Sequence, residues 1–331
     1  MVRPRATVLW WLFGAVIQAM VTGIFLTTTL DSAWSEDKRI IKIIVPFTPG
    51  GGADALARLL AEQIALAHDA TIIVENRPGA GTVIATEAMA RAEPDGNTAL
   101  IVANSFLINP ALRKRNYDPL ASFEPLCLLT RSPNVVVVHS ASPHRTLTDL
   151  IDAARAKPGE VTMAFNGPAT SQQIGYEKLK RATTIDMIPV TFPGGAPAVT
   201  ALLGQHVASL FINYPSASEL IAAGNLRVLA TASLKRNELL ANVPTVAELG
   251  YPDFEEDAWF GVVVPAKAPG QVVAQLANWF GAAVVSTELK PRLKAQGFSV
   301  AGECGSDFAS FLRTQQATYE HIIKEAKLKG E

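Results

Sequence analysis

The sequence predicts an α/β protein whose two α/β units face each other across a cleft, and three observations lead there. β-Branched runs alternate with stretches of helical period from Arg39 onward, the pattern of sheets flanked by helices. Glycine-rich or polar turns follow the strand-like runs in both units, at the carboxyl edges where open α/β sheets bind ligands. The alternation is interrupted twice, so the chain crosses between the units near Val135 and again near Glu255.

The first unit opens with a strand over Ile40–Val45 that stops at Pro46-Phe47-Thr48-Pro49-Gly50-Gly51-Gly52-Ala53-Asp54. Leu56, Leu59, Leu60 and Ile64 then recur at helical spacing, which predicts a helix over Asp54–Ala67. Three glycines between a strand and a helix N-terminus let backbone N–H groups fold into a concave nest. The helix dipole adds partial positive charge, so the natural guest is a carboxylate or phosphate. A tight turn without a guest is the plainer reading of the same residues. Next come a strand over Thr71–Glu75, a second glycine turn at Arg77-Pro78-Gly79-Ala80-Gly81, and a helix over Thr82–Ala92. A strand over Thr98–Ala103 follows, ending in Asn104-Ser105-Phe106, and the three strands predict a parallel sheet. Asn109-Pro110 breaks the pattern, and the proline- and charge-rich stretch to Pro125 reads as a connector.

The second unit runs from about Val135 to Ala232. Thr146-Leu147-Thr148-Asp149 resembles a capping box for a helix to Ala156, which Lys157-Pro158-Gly159 stops. A short strand over Val161–Phe165, a turn from Asn166 to Ser171 and a helix over Gln172–Arg181 follow. A strand over Ile185–Phe192 leads to Pro193-Gly194-Gly195-Ala196-Pro197 and a short helix to Gly204. Val207–Ile212 ends in Asn213-Tyr214-Pro215-Ser216, then a helix to Gly224 and a strand over Leu226–Thr231. A strand over Ala258–Val264 and amphipathic helices over Gln271–Ser286 and Asp307–Lys327 complete the chain.

At 331 residues and 49% hydrophobic side chains the chain can bury a large core in two domains. Arg3 and Arg5 precede an apolar stretch from Ala6 to Leu26, and Ala33-Trp34-Ser35 offers a cleavage site before Glu36, so residues 1–35 read as a Sec-type signal peptide and the mature protein as periplasmic. An uncleaved anchor is the alternative, because the apolar stretch is long for a signal. Pro4 between the arginines argues against a twin-arginine signal. Without residues 1–35 the formal net charge is −2, and basic residues form no stripe, which excludes an electrostatic grip on nucleic acid. Cys127 falls in a strand-like run and Cys304 in a late loop, and both read as idle thiols rather than a pair.

No enzyme constellation assembles. Histidines 68, 139, 144, 206 and 321 show no ligand spacing, and G-x-S-x-G, H-E-x-x-H and C-x-x-C are absent from the sequence, so neither a metal nor a catalytic set is read. Gly50-Gly51-Gly52-Ala53-Asp54-Ala55 fits a loose G-x-G-x-x-A with Glu75 where a dinucleotide fold keeps its ribose-binding acid. That rival, a secreted dinucleotide-dependent oxidoreductase, suffers from Asp54, whose carboxylate would repel a pyrophosphate. Glu255-Glu256-Asp257 reads as a solvated rim or hinge, and Trp259 and Phe260 serve equally as cleft wall or as core.

The ordered set IIVPFTPGGGAD, VENRPGAG, AEPDG, INPAL, VPTVAELG and WFG, from about Arg39 to the end, resembles the periplasmic receptors of the tripartite tricarboxylate transporter family, also called Bug receptors. The resemblance implies a type II periplasmic binding protein, a two-lobed flytrap that closes on a small carboxylate, with no cofactor. It implies a first lobe of residues 36–134 and 255–331, a second lobe of residues 135–254, a monomer, and membrane transporter subunits as partners. A receptor that signals without uptake is equally consistent. Carried onto this chain, the family's site puts Phe47, Thr48, Gly50, Gly51, Gly52 and Asp54 against the ligand through backbone groups. Ser105, the Thr170-Ser171 pair, Ala196 and Asn213 line the remaining turns. For Thr170 and Ser171 ordinary helix capping is the alternative. Where the family carries Tyr-Lys-Gly and Asp-Asn, this chain has Phe192-Pro193-Gly194 and Ile212-Asn213, and Gln173 replaces a frequent histidine. With Ile212, Phe192 and Tyr214 near the site, the expected ligand is a carboxylate with an apolar or aromatic body rather than an amino acid or a tricarboxylate.

Overall fold

The computed structural model describes residues 39–326, so the expected signal segment lies outside the described residues. The run IIKIIV forms β1 (Ile40–Val45), and it pairs in parallel with β2 (Thr71–Asn76) and β3 (Thr98–Ala103), Ile43 standing beside Val74 and Ala99. Between β1 and β2 lies α1 (Gly52–His68), whose Leu56, Leu60 and Ile64, spaced four apart, are buried against the sheet. Gly79 and Gly81 take positive φ in a 3-10 turn that leads into α2 (Val83–Ala90). After β3 comes α3 (Ser105–Leu112), a helix where the sequence shows only a polar turn, and it continues past Pro110 to Leu112. Proline has no N–H for the carbonyl four residues back, and here that carbonyl, Phe106 O, accepts the Tyr117 hydroxyl at 3.2 Å instead.

The connector of the sequence reading ends early, since β4 (Phe123–Ser132) begins within it. This strand belongs to the first sheet with two strands from the end of the chain, β10 (Ala258–Pro265) and β11 (Ser299–Cys304), in the order β11-β4-β10-β3-β1-β2. The returning strands run antiparallel, β10 to β3 and β4, and β11 to β4, so the sheet is mixed rather than parallel. A pattern of local periodicity shows strands but not the direction in which a distant segment re-enters. Among the described residues α8 (Gly270–Val285) and the short α9 (Leu289–Ala295) lie on one face of this sheet and α10 (Ser306–Ala326) on the other, while the short α7 (Ser218–Ala222) belongs to the second unit. The second sheet holds β5 (Asn134–His139), β6 (Thr162–Phe165), β7 (Ile188–Thr191), β8 (Ser209–Asn213) and β9 (Leu226–Thr231) in the order β7-β6-β8-β5-β9. Here β5 runs antiparallel to both its neighbours. Helices α4 (Leu147–Ala156), α5 (Ser171–Thr183) and α6 (Gly195–Leu203) flank it, and α4 starts on the expected box, with Thr146 Oγ1 accepting from Asp149 N at 3.1 Å and Thr146 N donating to Asp149 Oδ2 at 3.0 Å.

Trp259 and Phe260 point to opposite faces of β10, as neighbours on a strand must. Trp259 packs edge-on against Phe308 and Phe311 of α10, and Phe260 packs against Phe298. Among the described residues no helix is long and apolar enough to cross a membrane.

Cys127 and Cys304 are bonded as a disulfide, which corrects the reading of two idle thiols. The segment around Cys304 is an edge strand, not a loop, and its register sets Cys304 directly beside Cys127. A bulge between Val300 and Glu303, at the positive-φ Gly302, hides the strand's alternation in the sequence. The bond closes a loop across a sequence separation of 177 residues. Reduction should therefore destabilise the protein by about 2–5 kcal/mol. Urea unfolding with and without reductant measures this, and the native protein should show no titratable thiol; coincident curves would mean the bond contributes nothing.

Candidate functional site

The carboxyl edges of the two sheets meet around a cavity of about 30 Å³, room for roughly two water molecules. From the first sheet come Phe47, Gly51, Gly52 and Ala53 after β1, Ala103, Asn104 and Ser105 after β3, and Ala258 and Phe260 of β10. Opposite stand Asn166, Thr170, Ser171, Gln172, Gly195, Asn213 and Ser216. None of these side chains is charged. Four helices, α1, α3, α5 and α6, present N-terminal residues to the space, and the first-turn N–H groups of a helix have no intrahelical acceptor. The cavity is thus walled by neutral donors and by the positive ends of four helix dipoles, an arrangement suited to an anion.

The two sides touch across it. Gly52 N donates to Ser216 Oγ at 2.9 Å, and Ser216 Oγ donates to Asn213 Oδ1 at 3.0 Å. A Cβ on Gly52 would lie 2.4 Å from Asn213 Nδ2, and one on Gly194 would lie 1.9 Å from Thr48 Oγ1. The glycine turns therefore serve close approach between the lobes as well as the folding of a nest. Asn213 Nδ2 and Asn166 Oδ1 are buried without a protein partner, so a donor and an acceptor remain open at the cavity.

Of the residues singled out by the sequence, Phe47, Gly51, Gly52, Ser105, Thr170, Ser171 and Asn213 stand on the cavity wall. Thr48, Gly50, Asp54 and Ala196 stand behind it. Asp54 is buried and accepts from Gly50 N at 3.0 Å, Asn76 Nδ2 at 2.9 Å and Arg58 Nε at 3.0 Å. Burial alone would push its carboxyl up, but the hydrogen bonds from Arg58, Gly50 and Asn76 outweigh it and hold the carboxyl below its ordinary range. Asp54 thereby fastens the glycine turn from behind. Thr170 caps α5: its hydroxyl accepts from Gln173 N at 3.3 Å and donates to Gly167 O at 2.9 Å, which leaves it no hydrogen for a ligand. Ile212 is fully buried in the second-sheet core, and neither it, Phe192 nor Tyr214 reaches the wall, so the apolar surface there is Phe47, Phe260, Ala103 and Ala258.

The sequence reading missed Asn104, Asn166, Gln172, Gly195 and Ser216. Asn104 and Ser216 lay in turns it had marked, one residue from a chosen position or three. It also missed Thr82, a buried residue at φ 82° whose hydroxyl donates to Ser105 Oγ at 3.1 Å. That conformation is strained for a β-branched side chain and leaves the Ser105 hydrogen free to point elsewhere.

A family model for the tripartite tricarboxylate transporter family receptor matches residues 56–328. Protein BugT of Bordetella pertussis is 33% identical over 320 residues, covering 93% of this chain and 98% of that protein. The structure of R. palustris Rpa4515 with adipate superposes with a TM-score of 0.85 at 29% identity, covering 89% of this chain and 99% of that one. MatC from Rhodopseudomonas palustris with bound malate does so with a TM-score of 0.80 at 26% identity, covering 86% and 99%.

Beside the cavity the chain recrosses through Glu255-Glu256-Asp257, and these are not solvated rim residues throughout. Glu256 is 5% exposed and faces Lys178 Nζ of α5 at 3.4 Å. Burial pushes its carboxyl up to about 7 against the pull of Lys178, with nearby Asp257 adding to the rise and the Tyr319 hydroxyl opposing it. Burial likewise pushes Asp257 up to about 6, opposed by its hydrogen bond from Ser233. Between 4.5 and about 7 the folded chain keeps a proton on Glu256 that the unfolded chain has released, so stability falls as pH rises through that window and levels off above it. From pH 6 to pH 8 the loss expected from Glu256 is about 1 kcal/mol. Urea unfolding at the two pH values should show it in the wild type and not in Glu256→Gln; equal slopes in both would place the titration elsewhere.

Proposed function

Because the chain belongs to the tripartite tricarboxylate transporter receptor family, we propose that it captures a small organic carboxylate between its lobes in the periplasm and delivers it to membrane transporter subunits. The observation that carries this reading is the cavity itself, with four helix N-termini converging on a space that no charged side chain enters. A carboxylate there gains hydrogen bonds from backbone N–H groups and from the Ser171 and Ser105 hydroxyls. The adipate and malate complexes of the two relatives support a carboxylate as the guest.

A cavity of about 30 Å³ is too small for either acid, so binding requires the lobes to part and close again. In this reading the lobes are residues 36–134 with 255–331, and residues 135–254, and they hinge at the crossings near Asn134 and Glu256. The protein acts as a monomer, exported by a Sec-type signal. No cofactor is required, and the dinucleotide alternative loses support from Glu75, its expected ribose-binding acid, which is paired with Arg77 and is not on the cavity wall. A role in signalling would use the same site; a deletion strain assayed separately for uptake and for transcription distinguishes the two.

The preference for an apolar or aromatic body now rests on Phe47 and Phe260, and on a wall without a carboxylate to meet an ammonium. Thermal shifts with adipate, malate, benzoate, citrate, aspartate and glutamate test it. Monocarboxylates or dicarboxylates should stabilise the protein and the amino acids should not; a response to aspartate or glutamate alone would refute the preference. Small-angle scattering with and without the stabilising acid should report contraction on binding, and identical curves at saturation would count against lobe closure.

The Thr170 and Ser171 pair divides into two roles. Replacing both by alanine should weaken binding more than tenfold, since a hydrogen bond to a charged group contributes about 1.5–3 kcal/mol. Ser171→Ala alone should carry most of that loss, whereas Thr170→Ala should cost about 1 kcal/mol of stability through the lost cap. Calorimetry with the stabilising acid and urea unfolding separate the two; unchanged affinity in Ser171→Ala would move the carboxylate site away from α5.

A further inference from the structure

Asn134 stands where the chain first enters the second sheet, fully buried and with every polar atom engaged. Its Nδ2 donates to the backbone carbonyl of Glu256 at 2.7 Å and to Ser171 Oγ at 3.1 Å. Its Oδ1 accepts from Gln172 Nε2 at 2.6 Å. Asn134 itself is not on the cavity wall, but Ser171 and Gln172 both are.

The order in which these bonds are fixed matters. A carbonyl oxygen only accepts, so the Asn134 atom facing Glu256 O must be the NH₂ group. The other end is then the oxygen, and the Gln172 atom meeting it must in turn be an NH₂. The remaining Asn134 N–H occupies an acceptor position of the Ser171 hydroxyl, which leaves that hydroxyl its hydrogen to donate. One backbone carbonyl of the second crossing therefore dictates the orientation of one amide on the cavity wall and the donor character of one hydroxyl. On the first-lobe side the same crossing holds Asn104, whose Nδ2 donates to Asp257 O at 3.0 Å and whose Oδ1 accepts from Trp259 N at 3.1 Å.

We propose that Asn134 is a positioning residue of the ligand site: locked to the Glu256 carbonyl, it turns Ser171 and Gln172 into donors aimed at the bound anion and ties their orientation to the interlobe crossing. This rests on the carboxylate-receptor reading above for the identity of the guest, but the locking itself is a property of the ligand-free protein. It accounts for an amide, rather than an apolar residue, buried at the start of β5 next to four consecutive valines. It also gives the crossing a direct mechanical link to both halves of the site, through Asn134 on one side and Asn104 on the other.

The test is side-chain amide hydrogen exchange, followed by NMR on the purified protein without ligand. The Gln172 side-chain amide should exchange slowly in the wild type and at least tenfold faster in Asn134→Ala, with the backbone amides of β5 and β8 still protected. Asn134→Asp keeps the acceptor for Gln172 but has no donor for Glu256 O, so Gln172 should remain slow there. Gln172 exchange unchanged in Asn134→Ala overturns the proposal, as does a loss of protection throughout β5 and β8 in that variant, which would make Asn134 merely structural. A calorimetric titration with adipate adds a functional arm: Asn134→Ala should lower its affinity at least tenfold, and Ser171→Ala in that background should add less than threefold. Fully additive losses would overturn the coupling. Silence of the wild type towards adipate counts against adipate as guest, and the exchange result then decides on Asn134 alone.

Discussion

The constraint on which the rest of this structure depends is the unmet hydrogen-bonding capacity at the start of a helix. Four helices end their first turns at one small cavity, and first-turn N–H groups need an acceptor that their own helix cannot supply. Some of that demand is met internally. Thr170 takes Gln173 N and Ser216 reaches across to take Gly52 N, while Asp54 takes Gly50 N just ahead of α1. What is left, with the open amide of Asn213, is a concentration of neutral donors around a small, largely protein-walled space, where each is electrostatically stronger than it would be in bulk water. A lysine or arginine would bind an anion too, but it would have to be desolvated at each closure. Backbone donors cost less to desolvate than a full charge, and they hold their geometry because the helices hold it.

Close approach follows from the same constraint. For Ser216 to reach Gly52, and for Thr48 to lie over Gly194, the loops of the two lobes must come within van der Waals contact of each other's backbone. A Cβ at Gly52 or Gly194 would displace Asn213 or Thr48 from its place in this contact. The glycines that make a nest and the glycines that allow closure are thus partly the same residues, and a side chain at Gly52 would disturb both the donors and the contact. The crossing segment completes the arrangement, because the backbone of Glu256, Asp257 and Trp259 is bonded to Asn134 and Asn104, one beside each half of the cavity. A carboxyl as buried as that of Glu256 would not usually stand in such a segment. Here it is matched by Lys178 from the second lobe and Tyr319 from the first, so it joins the two at the point where they are covalently connected.

Much of this was legible in the sequence, and the boundary of what was legible has physical causes. The local pattern matches β1, β3, β9, α1 and α4 to within a residue or two, because the strands are short apolar runs bounded by turn residues and the helices bury one face at helical spacing. It failed where a long-range contact overrides a local signal. Asn109-Pro110 reads as a break, yet α3 continues past it to Leu112, with the carbonyl of Phe106 taken by the Tyr117 hydroxyl. Cys304 reads as a loop thiol, and only the pairing of β11 with β4 sets it beside Cys127. The direction of β10 cannot be read from its own residues at all. At the site the turns were legible and the roles within them were not. Glycine, serine, threonine and asparagine mark a turn at a strand end, but whether a hydroxyl faces a ligand or caps its own helix depends on one rotamer. Thr170 and Ser171 are neighbours in sequence with different hydrogen-bond partners. Thr170 spends its hydrogen on Gly167, and Ser171 is left with its own because Asn134 takes the acceptor side.

Asn134 shows why such residues escape a reading of the sequence. It stands at the head of Asn-Val-Val-Val-Val, a run whose meaning is a buried strand, and by composition it is the residue that should not be there. A buried amide next to a fully apolar strand costs stability unless all its hydrogen bonds are made, and here they are made, to three groups on two segments, the start of α5 and the second crossing. Had its role been packing alone, valine would have served better. The conflict between local pattern and residue type is itself the signal, and it points to the place where the strand, the ligand cavity and the interlobe crossing meet.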